Sequence, residues 1–512
     1  MINDGATVHR GILFATIMLA TILQALDSTI AAVALPHMQG TFSATQEQVA
    51  WVLTSYIVAS AITTPMAGFL SSRLGRKRLY LLAVGGFTLT SMLCGLATSL
   101  EQMVLFRVMQ GIFGAPLVPV AQATLLDNFP QERQGSAMAM FGMGVMLGPV
   151  LGPSLGAYLT EYYDWRWVFF INAPLGAMAL AGIQISLKDN RGNRDRPFDY
   201  MGFAFLSIAI ASFQLMLDRG NSHSWFESTE IVLEGIVALV GLYMFVVHIL
   251  TKPHPFIDPR MFRDRNLTMG LMLTFMTGIN FLATMALMPP YLQKLLGYPV
   301  LTTGGVLAPR GLGTMIAMGL VSRLVGRVDV RLLLLNGLLI SAGSLWWMST
   351  FDTNVSFATL VWVGLVQGFG MGFLFVPTNT VAFATLAPHM RTEATGLNGL
   401  VRNVGSSIGV SILTGMLGAF VQRNHAYLSE HVNPFATALS DPGFPSIMNP
   451  SDPAGLAMLN ATVTQEATLM AYVQDFRAMA IITLMSLPLL LFIRPAAPVA
   501  KAPVARSAVQ EV

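Results

Sequence analysis

Residues 107–135 read RVMQGIFGAPLVPVAQATLLDNFPQERQG, and residues 364–391 read GLVQGFGMGFLFVPTNTVAFATLAPHMR. Gln110-Gly111 aligns with Gln367-Gly368, Pro119 with Pro377 and Pro130 with Pro388. Each stretch lies in an apolar run long enough to cross a hydrocarbon core about 30 Å thick, which takes roughly 20 helical residues. A second echo pairs GFLSSRLGRKR (68–78) with GLVSRLVGRVDVR (319–331). Such repeats in a chain of many apolar runs point to two half-bundles with a binding site between them near the bilayer midplane.

The composition around these stretches agrees. Of 512 residues, 54% are hydrophobic and 11% charged, against about 25% charged in soluble domains. That supply of charge cannot coat a soluble chain of this length. A soluble enzyme, a disordered chain and a nucleic-acid binder are excluded. The basic pI of about 9.0 rests on a net charge of only +3. Cys94 is the single cysteine, so no disulfide within the chain and no cysteine metal cluster can form. The reading is an all-α integral membrane protein.

Working outward gives fourteen predicted spans. They lie near 13–35, 49–71, 79–98, 103–126, 137–160, 166–186, 200–217, 230–250, 268–290, 302–325, 331–350, 356–386, 395–420 and 476–494. The ten-residue alternating segments of a β-barrel are not seen. The first span carries Asp27 after a polar, nearly neutral start, so a cleaved leader is not expected. If the N-terminus is cytoplasmic, most of the 29 Lys and Arg fall on the cytoplasmic side. Only Arg166, Arg219, Lys294, Arg423 and Arg477 fall outside, with Arg107, Arg310 and Arg402 inside spans. Retention of basic residues in cytoplasmic loops then predicts that both termini are cytoplasmic.

The repeats divide the chain. Residues 1–187 form a first six-helix bundle, and 188–267 a linker region with two inserted helices. Residues 268–494 form a second six-helix bundle, with an external, periplasmic loop at 421–475 rich in Pro, Asn, Ser and Asp. The tail 495–512 is Pro/Ala/Val-rich without periodicity and is predicted disordered.

No phosphate loop, Gly-x-Ser-x-Gly elbow or HExxH motif occurs, and only His248 among eight histidines lies near a span. No cofactor or metal is expected, and the energy source left is an ion gradient, with protons as the coupling ion. Such a source requires an ionisable group at membrane depth, where each is a candidate functional residue. Asp27 lies some 14 residues into the first span, roughly 20 Å from the cytoplasmic side at 1.5 Å per residue. Arg107 enters the fourth span from outside and is within its reach. A guanidinium that approaches and leaves a buried carboxylate loads and unloads a proton; a permanent ion pair would instead lock the two spans. Asp127 is read as interfacial, Asp199 as a helix N-cap, and Glu234 as partly solvated at its span's external start.

Gly144, Gly148, Gly152 and Gly156 recur every four residues, with Pro149 and Pro153 among them. The glycines permit close helix approach and the prolines a bend; tight packing and a hinge need the same features. Gln24, Gln110, Asn280, Gln367 and Asn379 are polar candidates for a substrate cavity with apolar walls, suited to hydrophobic compounds. Arg310 and Arg402 are in-span cations without a matching acid, open to substrate carboxylates or backbone carbonyls.

These stretches resemble the major facilitator superfamily, and within it the fourteen-span drug:proton antiporters of the EmrB/QacA type. LDSTIAAVALP (26–36) is similar to the first-span signature, which implies a proton-coupling acid at Asp27. GFLSSRLGRKR resembles the superfamily loop between spans 2 and 3, carrying a conformational role onto Gly68, Arg73, Gly75 and Arg76. The family usually has an acid where this chain has Ser72. RVMQG (107–111) resembles the span-4 motif and implies a proton-relay arginine at Arg107; GVMLGPVLGP (144–153) resembles the exporter motif of span 5. DWRWVFFINAPLG (164–176) and LDRGNSHSWF (217–226) are further subfamily-like stretches.

The long loop with HVNPF (431–435) looks like the EmrB branch. That likeness implies a multidrug exporter in a bacterial inner membrane, working with an EmrA-like periplasmic adaptor and a TolC-like outer-membrane channel. The partners expected are the lipid bilayer, small hydrophobic substrates and protons, and no nucleic acid. Rival readings are a proton-coupled transporter of one metabolite and a non-transporting membrane receptor or scaffold.

Overall fold

The computed structural model describes residues 10–129, 131–187, 198–253, 255, 257–386, 390–432 and 452–494. In chain order the helices are α1 (Arg10–Thr41), α2 (Gln46–Thr63), α3 (Met66–Leu74), α4 (Arg76–Gly95), α5 (Leu100–Gly114) and α6 (Leu117–Asn128). Then come α7 (Gln131–Tyr162), α8 (Trp167–Phe170), α9 (Asn172–Ser186), α10 (Tyr200–Arg219), α11 (Thr229–Thr251) and α12 (Arg265–Pro290). The last are α13 (Val300–Leu324), α14 (Val330–Met348), α15 (Phe357–Ala384), α16 (Arg391–Glu430), α17 (Pro453–Leu484) and α18 (Leu489–Phe492). Among the described residues the extended backbone amounts to one isolated bridge, Val325 to Val328. Among the described residues thirteen helical stretches are long and apolar enough to cross a membrane, and up to fourteen if the bent pair α2–α3 is one span. The 59° bend of that pair falls at Pro65, which supplies no N–H to the helix ladder.

Local sequence explains the ends. Thr45 and Gln48 form a reciprocal capping box at α2, and side chains of Ser99, Asp199, Asp264, Asp329 and Ser356 accept from first-turn N–H groups of α5, α10, α12, α14 and α15. These acceptors satisfy donors that a helix start leaves unbonded. The two GR-containing echoes also share a backbone shape: Gly75 has φ +82° and Gly326 φ +86°, a region where side chains are strained.

The polar stretch predicted as a 421–475 loop is corrected. Helix α16 continues to Glu430 and α17 begins at Pro453, so most of its described part is helical and the last long helix starts well before residue 476. Asn460, Thr462, Thr464, Gln465 and Glu466 interrupt the apolar run of α17, so a hydropathy window places its start too late. Residues 433–451, the tail 495–512, Pro130, Pro388 and the basic linker residues Lys188, Arg191, Arg194 and Arg196 lie outside the described residues.

The cores show how the halves meet. One apolar cluster joins Leu13, Leu125 and Met138 of the first half with Phe383, Ala394 and Leu397 of the second. Another joins Ala139 and Met146 of α7 with Met318 and Val321 of α13. Both lie toward the end that carries Arg76 and Arg391. At the opposite end the cores are separate: one around Met38, Val49 and Trp165 in the first half, one around Tyr291, Phe351 and Phe476 in the second. The halves are therefore sealed together at the arginine-rich end.

The inserted helices stand on one flank. Near the end of α10, Asp218 accepts from Thr54 of α2 at 2.6 Å. The carbonyl of Leu217 accepts from Ser411 of α16 at 2.6 Å, and Asn221 donates to Thr414 at 2.9 Å. Helix α10 thus bonds to both halves.

Candidate functional site

Five segments of the first half converge on Asp27 of α1. Its Oδ2 accepts from Arg107 Nη1 of α5 at 2.8 Å. Its Oδ1 accepts from Gln110 Nε2 at 2.9 Å and from Asn172 Nδ2 of α9 at 2.8 Å. Arg107 in turn donates from Nε to the Val52 carbonyl of α2 at 2.9 Å and from Nη1 to Gln110 Oε1 at 2.7 Å. The network extends through Asn172 to Ser91 of α4, which donates to the Phe169 carbonyl of α8. Asp27 and Arg107 are both 0% exposed.

Aromatic faces complete the enclosure. The guanidinium lies 4.3 Å from the Tyr56 ring centroid and 5.8 Å from that of Phe169; such stacking favours a desolvated cation. Among the described residues Arg107 Nη2 has no hydrogen-bond partner. Removing one member of such a buried pair strands the other charge, at about 3–5 kcal/mol.

The sequence nominated Asp27 and Arg107 together, and the structure brings them together. It nominated Gln110 as a substrate contact, whereas Gln110 bonds both members of the pair. Asn172 was missed, because its role depends on α9 packing against α1 and α4. The separate placement of Asn after an aromatic run gave no cue beyond an amide at the start of an apolar span.

The remaining nominees fall into distinct places. Gln24 is half-buried one turn before Asp27, its Oε1 unbonded. Gln367 of α15 donates to Thr284 of α12 at 3.2 Å, beside Asn280, whose Nδ2 caps the Met276 carbonyl. Asn379 accepts from Asn398 of α16 at 3.2 Å. Arg310 of α13 donates to the Phe281 carbonyl at 3.2 Å and lies 5.1 Å from the Phe281 ring centroid. A narrow, mostly apolar crevice lies inside the second half, lined by residues such as Leu273, Asn280, Leu338, Met371 and Thr483. Of the nominees only Asn280 lines it.

The glycine stripe has a defined partner. A Cβ on Gly148 would lie 2.5 Å from the Ala25 carbonyl carbon, and Thr29 donates to the Gly148 carbonyl at 3.1 Å. Gly144 and Gly152 face Met18 and Thr29 of the same helix. The stripe thus seats α1, the helix of Asp27, against α7. Helix α7 runs unbroken through Pro149 and Pro153.

At the arginine-rich end, Arg76 pairs with Asp127 of α6, and Arg391 of α16 approaches the same carboxylate at 3.7 Å. Ser72, at the position where an acid was expected, bonds the Phe69 carbonyl. Gly68 packs so closely that a Cβ would lie 2.9 Å from the Glu393 Cα. Arg73 lies over the Phe69 ring. Asp199 caps α10 as predicted and also bonds His248 and Lys252. Glu234, 15% exposed, pairs with Arg219 at 3.3 Å. Asp475, read as loop, lies on α17 fully buried, neither oxygen hydrogen-bonded. No group of three or more metal-binding side chains occurs among the described residues.

A two-halved bundle of long apolar helices with a buried acid–arginine network defines a multi-pass membrane transporter rather than an enzyme. The chain belongs to the Major Facilitator Superfamily, which it matches over residues 17–410. It is 35% identical over 422 residues to the multidrug export protein EmrB of Escherichia coli K12, covering 81% of this chain and 82% of that one. It is 33% identical to the fatty acid resistance protein FarB of Neisseria gonorrhoeae, covering 93% and 94%. Among solved structures it resembles the human organic anion transporter MFSD10 (TM-score 0.60, 13% identity, 94% of this chain and 99% of that one). It also resembles a bacterial homologue of the lysosomal transporter Spinster in an inward-facing form (TM-score 0.56, 18% identity, covering 96% and 98%).

Proposed function

We propose that this chain is a drug:proton antiporter that exports hydrophobic and amphipathic compounds by alternating access. The observation that carries the coupling is the Asp27–Arg107–Gln110–Asn172 network, fully buried in one half. An ionised carboxylate at that depth is tolerable only while its donors hold it. Proton arrival at Asp27 removes the charge that Arg107 compensates and frees the guanidinium. The change in pairing is felt by α1, α2, α5 and α9 together. Release of the proton to the cytoplasm restores the pair. The membrane potential contributes about 2.3 kcal/mol per charge per 100 mV, enough for a substantial substrate gradient. The names of the relatives, multidrug export and fatty acid resistance proteins, support apolar and amphipathic cargo. Their likeness also supports a bacterial inner membrane and operation with a periplasmic adaptor and an outer-membrane channel.

The test is transport in everted membrane vesicles with a panel of dyes and amphiphiles, comparing wild type with Asp27→Asn. Expected is uptake that follows ΔpH and collapses in the variant, with expression and thermal unfolding showing folded protein. Uptake indifferent to both ΔpH and the substitution overturns the coupling. Transport of one metabolite alone would favour a specific carrier, and no transport of any compound a scaffold.

A further inference from the structure

We propose that Asp218, in the inserted helix pair, is a positioning residue for the proton-coupling site: through Thr54 it fixes the turn of α2 that holds Arg107. This rests on the antiport reading above and gives the inserted pair a part in it.

One turn of α2 cradles the guanidinium. Arg107 Nε donates to the Val52 carbonyl at 2.9 Å, and the Tyr56 ring centroid lies 4.3 Å from the guanidinium carbon. Val52 and Tyr56 are four residues apart and so share one face of the helix. That face presses closely on α5: a Cβ on Gly111, one turn after Arg107, would lie 2.6 Å from the Tyr56 carbonyl oxygen. Thr54 stands between the two in sequence and therefore on the other side of α2. There its hydroxyl donates to Asp218 Oδ2 of α10 at 2.6 Å, a length typical of a charge-assisted bond.

The bond is more than a way to satisfy a buried hydroxyl. Thr63 and Thr64, at the end of the same helix, donate to carbonyls four residues back, the usual local solution. Thr54, 6% exposed, reaches across to a second helix instead. Asp218 is free to receive it, because the adjacent Arg219 is engaged by Glu230 and Glu234 of α11. Helix α10 is also anchored apart from α2, since the Leu217 carbonyl accepts from Ser411 at 2.6 Å and Asn221 donates to Thr414. A carboxylate on an anchored helix thus grips the turn that grips Arg107, by contiguous contacts.

The ionised form of Asp27 depends on Arg107 staying in place. Loosening the Val52–Tyr56 turn weakens that hold, so Asp27 takes its proton at higher pH. Among the described residues the charged and titratable groups around Asp27 are Arg107 of α5, Tyr56 of α2 and Cys94 of α4, with Asn172 of α9 and the glycines of α7 neutral. Those around Asp218 are Arg219, His223, Glu230 and Glu234; α2 and α16 present Thr54, Ser411 and Thr414.

The test is an infrared pH titration of the full-length protein in nanodiscs, from about pH 4 to about pH 9. It follows the carboxylic-acid carbonyl band that is lost in Asp27→Asn. Thr54→Val leaves every charge in place, so a shift there comes through position. Expected is a midpoint raised by at least about half a pH unit, roughly threefold in proton affinity, with Thr54→Ser at the wild-type value. In an Asp218→Ala background, Thr54→Val should add no further shift. Thr63→Val, the same change farther along α2, should leave the midpoint where it is. Thermal unfolding of each variant identifies misfolding. A midpoint unmoved or lowered in Thr54→Val, an equal shift in Thr63→Val, or a full shift in the Asp218→Ala background overturns the positioning role. A titrating Asp27 band that ignores Thr54→Val removes this inference alone. If no such band changes over the range, proton coupling at Asp27 falls and the inference falls with it.

Discussion

Asp127 of the first half lies 3.7 Å from the guanidinium of Arg391 in the second, while the same carboxylate also pairs with Arg76. One acid therefore ties two helix starts of opposite halves at the sealed end. The pair is 15% and 29% exposed, so its strength is that of a partly screened interaction, about 0.5–1 kcal/mol. Asp127→Asn is expected to raise the population open at the arginine-rich end by roughly two- to fivefold. Labelling rates of a cysteine placed at Thr395, which is buried here, measure this; unchanged labelling would show that the apolar seal alone keeps that end shut.

The buried pair should behave as a unit. Arg107→Ala leaves the Asp27 carboxylate buried and is expected to lower stability by about 3–5 kcal/mol. Combining Asp27→Asn with Arg107→Gln should cost less than the two single changes added, because each single change strands one buried charge and the double variant strands none. Thermal or denaturant unfolding in detergent gives the cycle. Strict additivity would contradict the geometry.

Asn172→Ala removes one donor to Asp27 and leaves Ser91 without its amide partner. A loss of about 1–3 kcal/mol follows from stranding buried polar groups, along with slower ΔpH-driven uptake. Wild-type rates in this variant would demote Asn172 to ordinary helix packing.

Glycine substitutions should separate by position. Gly148→Ala places a methyl group against the Ala25 backbone, so α1 must shift and both stability and transport should drop. Gly343→Ala has nothing within 4 Å and sits inside helix α14, where alanine is expected to gain about 0.5–1 kcal/mol. Paired unfolding midpoints check the contrast, and equal effects would remove close approach as the reason for the stripe.

Much of this was legible in the sequence for a physical reason: charge is scarce enough that each in-span ionisable residue stands out. Asp27 and Arg107 were found by depth alone, since two opposite charges at one level of the bilayer have few other partners. The echo at Gly75 and Gly326 was equally legible, because a left-handed turn selects glycine. Gln110 was expected beside cargo and Asn172 was missed because an amide looks the same in a sequence whether it faces cargo or clamps a carboxylate. Only the convergence of α1, α5 and α9 decides between them. Asp475 escaped because α17 begins with polar turns, which an apolar window reads as loop. Asp127 could be placed at an interface, yet its second partner, Arg391, is distant in sequence and appears only when the halves close.

Helix α10 and the turn after it, hydrogen-bonded to Thr54 on one side and, through Leu217 and Asn221, to Ser411 and Thr414 on the other, cover the seam between α2 and α16 like a batten over a joint. The opposite seam, α7 against α13, has no inserted helix over it. The protein therefore presents two unlike sides to the oil around it. An apolar molecule in that oil would meet α10 on one flank and the packed contact of α7 with α13 on the other.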